Sequence, residues 1–151
     1  MSDPTKGFEG ITTDIWYPYS GQQGKCQYDE TLPSYQLFDY LQFPDDQAVI
    51  KKYVGFEGPV SAGVYFEPMV HYASGVWTDD NNKCGRNKAD KALTIVGYGV
   101  DNSGSTPISY WLCKNFFGKN WGEQGYIRIV RQETGRGVCQ ITRYCLAPEA
   151  F

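Results

Sequence analysis

Apolar residues at helical spacing mark one segment of the chain as a helix. The apolar positions are Ala48, Val49, Ile50, Tyr53 and Val54. Pro44 stands just before the segment and Asp45 or Asp46 can cap its N-terminus, while Gly55 and Gly58 stop the pattern. The spacing therefore predicts one helix of about three turns.

Four later segments are rich in Val, Ile, Tyr and Trp and are bounded by Gly or Asn, which predicts strands. They are residues 60–66, 92–98, 109–114 and 125–131. In the last segment, Ile127 and Ile129 alternate with Arg128 and Val130, so one face should lie in a core. The residues before Pro44 show no sustained period and are predicted to be ordered loop. Strands that cluster after one helix favour an α+β fold with an antiparallel sheet or small barrel.

Composition and charge narrow the possible functions. The chain has 151 residues, which fits a single domain, and a formal net charge of −3 gives no general attraction to nucleic acid. No apolar stretch is long enough to span a membrane, and the first ten residues lack a secretory pattern, so the chain as written is expected in the cytosol. Five cysteines indicate an oxidising compartment instead, and spacing alone cannot pair them.

Candidate chemistry is sparse. His71 is the one histidine and, between apolar neighbours, is interpreted as a structural residue. The cysteines lack zinc-ligand spacing, and the glycines form no phosphate-binding loop, so neither a metal nor a cofactor is predicted. Residues 83–91 carry four basic residues and one acid. That run is either a solvated loop or a basic patch for an acidic protein partner.

The order of several segments resembles the papain-like cysteine peptidases, nearest the cathepsin L type. The segments are Tyr17-Pro18-Tyr19, Gly58-Pro59-Val60-Ser61, DKALTIVGYG at residues 90–99, and KNFFGKNWGEQGYIRI at residues 114–129. The resemblance runs from about Gly10 to the C-terminus. The Asn-Trp-Gly-Glu segment at residues 120–123, followed by Gly-Tyr-Ile-Arg at residues 125–128, is especially specific in this order.

The resemblance implies degenerate catalytic positions. The family uses a cysteine thiolate, a histidine base, an asparagine that orients the histidine and an oxyanion-hole glutamine. The cysteine and glutamine belong to the family's N-terminal third, upstream of this chain as written. Lys91 stands at the base position, and a lysine with its ordinary pKa of about 10.4 cannot accept the proton at neutral pH. Asn115 matches the orienting asparagine, but Phe116 and Phe117 follow it.

The resemblance also assigns roles to the cysteines. Cys84 and Cys139 match a pair that the family joins as a disulfide. Cys26 matches a cysteine whose partner belongs to the N-terminal portion, so it is expected to be unpaired. Cys113 replaces an aliphatic strand residue and is expected to act as a small buried hydrophobe. Cys145 has no assigned partner.

The implied fold is the family's right domain, an antiparallel barrel-like sheet with one main helix, plus an irregular remnant of the left domain. The predicted boundaries are a tail at 1–9, the remnant at 10–43 and the right domain at 44–151. Five residues should line the specificity pocket or the open face between the domains. They are Gly63, Ala89, Ala92, Phe117 and Trp121. The family is usually lysosomal or secreted, so the compartment stays undetermined.

Two functions follow from the resemblance. The first is a non-catalytic pseudo-peptidase that acts as a binding or structural subunit, its open face covered by a protein partner. The alternative is the heavy fragment of a two-chain cysteine endopeptidase whose nucleophile is on another chain. A chain that represents part of a longer gene product is a third interpretation.

Overall fold

The computed structural model describes residues 10–37, 39–85 and 88–149. The predicted tail at 1–9 lies outside the described residues. By its internal contacts the chain divides into two compact units, Met1–Leu41 with Pro148–Phe151, and Gln42–Ala147. No helix within the described ranges is long and apolar enough to cross a membrane.

The first unit holds two short strands where the sequence predicted only loop. β1 (Ile11–Thr12) pairs antiparallel with β2 (Ser34–Tyr35), and the Thr12 hydroxyl donates to the Pro33 carbonyl at 2.9 Å. A third strand, β3 (Asp39–Gln42), lies at the boundary of the two units. Strands of two residues are too short to leave a period in the sequence.

The predicted helix is α1 (Gln47–Phe56). Asp46 is its N-cap, because the carboxylate accepts a hydrogen bond from the Ala48 amide at 2.8 Å. Ile50 is fully buried, and the buried Gln47 side chain accepts a hydrogen bond from the Trp111 indole. The helix therefore docks through Gln47 and Ile50, and its Tyr53 and Val54 also pack against the core.

Six strands of the second unit form one sheet in the order β9-β4-β6-β7-β8-β5. Their bounds are β4 (Val60–Val64), β5 (Val76–Trp77), β6 (Lys91–Asp101), β7 (Ile108–Lys114), β8 (Tyr126–Val130) and β9 (Tyr144–Glu149). Short 3₁₀ turns occur at Glu67–Met69 and Val138–Gln140. The pairs are antiparallel except for β5 with β8, which is parallel.

The four predicted strands correspond to β4, β6, β7 and β8, and the predicted alternation in β8 is confirmed because Ile127 and Ile129 are fully buried. β5 and β9 were not predicted. In β9 the inward positions are Cys145 and Ala147, which are weaker strand signals than Val or Ile. β6 carries an irregularity between Ile95 and Gly97 in its pairing with β7.

Candidate functional site

Lys91 is the first residue of β6 and is exposed, with its ammonium group above two phenylalanine rings. The Nζ atom lies 5.3 Å from the centroid of Phe116 and 5.9 Å from that of Phe117. A cation at these distances from a ring face is attracted by the ring quadrupole. The rings therefore attract the ammonium group of Lys91.

The register of β6 and β7 relates Lys91 to Asn115. Ile95 pairs with Cys113, and both are fully buried, so they belong to the core-facing rows of their strands. Side chains at every second residue share a face, so the same rows continue to Lys91 in β6 and to Asn115 after β7. The two residues thus stand at the same end of neighbouring core-facing rows.

Asn115 is buried, with 6% of its surface exposed. Its Oδ1 accepts a hydrogen bond from the Phe116 amide at 2.8 Å, and its own amide donates to the Gly125 carbonyl at 2.9 Å. The Nδ2 atom is buried and has no hydrogen-bond partner. An amide donor left without an acceptor carries an uncompensated desolvation cost, which makes this atom a candidate ligand group.

An aromatic cluster supports the two phenylalanines. Phe117 makes an edge contact with Phe66 at 5.7 Å between ring centroids, and Trp121 lies 5.7 Å from Phe66, 5.7 Å from Phe117 and 5.6 Å from Tyr72. The Trp121 indole donates to the Val70 carbonyl at 2.8 Å. Packing against a fixed indole holds the Phe117 ring beside Lys91.

Asp90 holds the start of β6. Its Oδ1 accepts a hydrogen bond from the Phe66 amide at 2.7 Å, and its own amide donates to the Val64 carbonyl at 3.1 Å. These bonds tie the residue before Lys91 to the end of β4. The backbone of Lys91 is therefore fixed although its side chain is exposed.

An ion-pair network supports the segment that carries Trp121. Arg128 donates to Glu123 through Nε at 2.9 Å and Nη2 at 2.8 Å, and to Asp101 through Nη1 at 2.6 Å. Glu123 also accepts a hydrogen bond from the Gly75 amide. The bonds from Arg128 lower the pKa of Glu123. The pKa of Asp101 falls to about 2, first through hydrogen bonds from Ser103 and then from Arg128.

Comparison with known proteins identifies the family of this fold. Residues 5–149 match the model of the papain family of cysteine proteases. The chain belongs to this family. It is 36% identical over 131 residues to a cathepsin L-like proteinase of Phaedon cochleariae, an alignment that covers 83% of this chain and 39% of that protein.

Two further relatives agree with this assignment. Cathepsin S of Mus musculus is 36% identical over 143 residues, covering 93% of this chain and 39% of that protein. The bromelain protease from Ananas comosus, solved in complex with the E64 inhibitor, superposes with a TM-score of 0.81 at 29% identity. That superposition covers 95% of this chain and 64% of bromelain. The chain spans about two fifths of the length of the two cathepsins.

The pocket residues expected from the papain-family resemblance fall into two groups. Gly63 pairs with Ala92 between β4 and β6, and a Cβ placed on Gly63 would lie 3.5 Å from the Ala89 Cβ and 3.1 Å from the Tyr144 Cβ. Tyr144 therefore lies against these small residues, a neighbour that the sequence did not indicate. Phe117 and Trp121 belong to the aromatic cluster on the Lys91 side.

The expected disulfide joins Cys84 to Cys139, with 5.0 Å between their Cα atoms. Cys26 is free and exposed, while Cys113 and Cys145 are free and fully buried. Burial raises the pKa of Cys113 and raises that of Cys145 to about 12, so neither is a ready thiolate. Asp79 lies within 4.8 Å of both disulfide sulfurs, but those sulfurs are bonded to each other rather than free to ligate a metal.

Two other sequence candidates are exposed. His71, interpreted from the sequence as a structural residue, is exposed, because Met69 and Tyr72 take the buried positions of its turn. In the basic run, Lys83 and Lys88 are exposed, whereas Arg86 and Asn87 lie outside the described residues. The sequence did not indicate that buried Phe66 contacts Phe117 and Trp121. A single aromatic residue in a strand-like segment predicts only a core position.

Proposed function

We propose that this papain-family chain is non-catalytic and acts as a binding or structural subunit of a larger protein assembly. The observation that carries the proposal is Lys91 at the position where the family resemblance expects the histidine base. An ammonium group has no lone pair with which to take a proton from a thiol, and the rings of Phe116 and Phe117 attract the ammonium group of Lys91.

The exposed surface beside Lys91 supports a binding role. Phe116 is 65% exposed and Phe117 is 39% exposed, and both belong to the surface that begins at Lys91. On β9, Tyr144 and Leu146 are also exposed, next to the small residue Gly63 of β4. Large apolar side chains grouped on a rigid sheet are typical of surfaces that another polypeptide covers.

The test asks whether the chain has peptidase activity, either as it is or with a histidine at position 91. The chain and its Lys91→His variant are each incubated with a fluorogenic peptide substrate and with an epoxide probe for reactive thiols. We expect no hydrolysis and no labelling at Cys113 or Cys145 in either protein, because both thiols are buried and burial raises their pKa values. Turnover by either protein would overturn the proposal.

The alternative is the heavy fragment of a two-chain cysteine endopeptidase whose nucleophile lies on another chain. Membership in a peptidase family and the retained Asn115 favour it. The experiment labels the native assembly, with all its chains, using the same thiol probe. Labelling of a companion chain that depends on this chain would favour the endopeptidase, and an unlabelled assembly would favour the non-catalytic subunit.

A further inference from the structure

The end of the core-facing rows of β6 and β7 presents two hydrogen-bond donors and no matching acceptor. Within the described ranges, the ion pairs join Arg128, Arg131 and Arg136 to carboxylates and leave Lys91 out. The nearest acid in sequence, Asp90, uses its Oδ1 to accept the Phe66 amide. Lys91 is therefore a cation that contacts rings, not a carboxylate.

Asn115 provides the second donor. Its Oδ1 is occupied by the Phe116 amide, whereas its buried Nδ2 has no partner. Burying an amide donor without an acceptor costs free energy that an incoming acceptor would recover. Lys91 and Asn115 end adjacent rows on one face, so the two donors stand at the same end of the sheet.

We propose that Lys91 and Asn115 form a binding site for the carboxylate of a peptide. The inference rests on the proposed non-catalytic function and specifies what the surface binds. An ammonium and a primary amide supply one charged and one neutral donor, which suits the two oxygens of a carboxylate. The rings of Phe116 and Phe117 flank these donors and suit an apolar side chain next to the carboxylate.

A peptide carboxylate fits this site better than a phosphate group does. A phosphate dianion is usually bound by several cationic or backbone donors, whereas this site has one cation beside two aromatic rings. Nδ2 itself is buried, so contact with it requires that the side chains around it move or that a water bridge the gap. Either route moves the Asn115 amide resonances when the carboxylate binds.

The experiment titrates the ¹⁵N-labelled chain with three probes and follows the side-chain NH₂ signals of Asn115 by NMR. The probes are N-acetyl-Ala-Phe-Ala with a free carboxylate, the same peptide as its C-terminal amide, and N-acetyl-Ala-Phe-Glu amide. The first and third carry the two sources of a peptide carboxylate, and the second carries none. We expect the better carboxylate probe to bind with a Kd on the order of 1 mM and the neutral amide to bind at least about tenfold more weakly.

Two substitutions provide the matched comparison. Lys91→Gln should weaken the binding of the carboxylate probe about tenfold, since it removes the charge-assisted hydrogen bond. The affinity for the neutral probe should stay the same. Lys51→Gln is the control, because Lys51 makes the same kind of contact elsewhere, with Nζ 5.3 Å from the Tyr98 ring centroid. Lys51→Gln should change the affinity for neither probe. The wild-type Asn115 signals test that residue without altering a buried side chain.

The outcomes separate this inference from the proposed function. Equal binding of the charged and neutral probes, or no shift of the Asn115 signals up to about 10 mM, overturns the carboxylate site. The same holds if inorganic phosphate moves these signals at a lower concentration than either carboxylate probe. None of these results affects the non-catalytic assignment, which turnover, or labelling of Cys113 or Cys145, would overturn by itself.

Discussion

At the scale of single residues, backbone geometry explains why glycine stands beside Trp121. Gly122 has φ +55°, a left-handed conformation that side chains with a Cβ adopt at a cost. A Cβ placed there would lie 2.5 Å from the Tyr126 carbonyl oxygen and 3.0 Å from the Tyr72 ring. The sequence motif Asn-Trp-Gly-Glu at residues 120–123 could be recognised as a pattern, but the approach of the Tyr126 backbone that requires this glycine is visible only in the fold.

We expect Gly122→Ala to destabilise the protein by about 1–3 kcal/mol, because it adds both backbone strain and a contact with a carbonyl that cannot move freely. The measurement is the free energy of unfolding in urea. Gly97→Ala is the control, since Gly97 lies in β6 and a Cβ there meets nothing within 4 Å. Equal stability of the two variants would contradict the strain at Gly122.

Asn115 shows where residue-level prediction ends. The family resemblance matched this residue to the orienting asparagine, and the β6 and β7 register puts it at the same end of the sheet as Lys91. Which atom of its amide lacks a partner depends on the Phe116 backbone turning back towards Oδ1. A turn of that kind leaves no periodic signal in the sequence.

At the scale of elements, Arg128 links three parts of the second unit. It lies in β8 and pairs with Asp101 at the end of β6 and with Glu123 in the segment before β8. The sequence predicted an outward-facing Arg128 from its alternation with isoleucines. Its two acceptors could not be predicted, because one ends β6 and the other lies between β7 and β8.

The network gives the unit a defined acid response. The pKa of Glu123 is lowered, first by the Arg128 hydrogen bond, and that of Asp101 is lowered to about 2. A carboxyl whose pKa is lower in the folded state contributes stability that is present above its unfolded value, about 4, and is lost as the pH falls through the folded value. We therefore expect the free energy of unfolding to fall between about pH 4.5 and pH 2.

Urea unfolding at several pH values measures this response. In Arg128→Gln the free energy of unfolding should change less steeply with pH between about pH 4.5 and pH 2. The substitution removes the main cause of the lowered Glu123 pKa, while Asp101 keeps its hydrogen bonds from Ser103. Lys119→Gln removes an exposed charge from the same region and should keep the wild-type slope. An unchanged slope in Arg128→Gln would show that other carboxyls govern the acid response.

At the scale of the whole chain, the two units differ in how they bury apolar surface. Among the described residues, the buried hydrophobic core lies entirely between Ile50 and Ala147. In the first unit Ile15 is 84% exposed and Tyr19 is 92% exposed. The sequence predicted the difference in part, because helix and strand patterns begin only after Pro44. Exposed rings in the first unit agree with the proposed role as part of a larger assembly.

The covalent link of the second unit joins segments that no strand pairing joins. Cys84 precedes β6 and Cys139 lies in the 3₁₀ turn before β9, 55 residues later in the chain. Closing a loop of that length in the unfolded chain removes conformational entropy worth about 4 kcal/mol in the chain-entropy model. Loss of the bond should therefore remove a large share of the marginal stability of a small domain.

We expect the double variant Cys84→Ser, Cys139→Ser to unfold with a free energy about 2–4 kcal/mol lower than that of the wild type, and reductant to have the same effect on the wild type alone. Thermal and urea unfolding with and without reductant measure the effect of the double substitution and the effect of reductant on the wild type. Cys26→Ser is the matched control, because Cys26 is free and exposed and its loss should leave both curves unchanged. If reductant shifts the double variant as much as the wild type, the stabilising bond is not Cys84–Cys139.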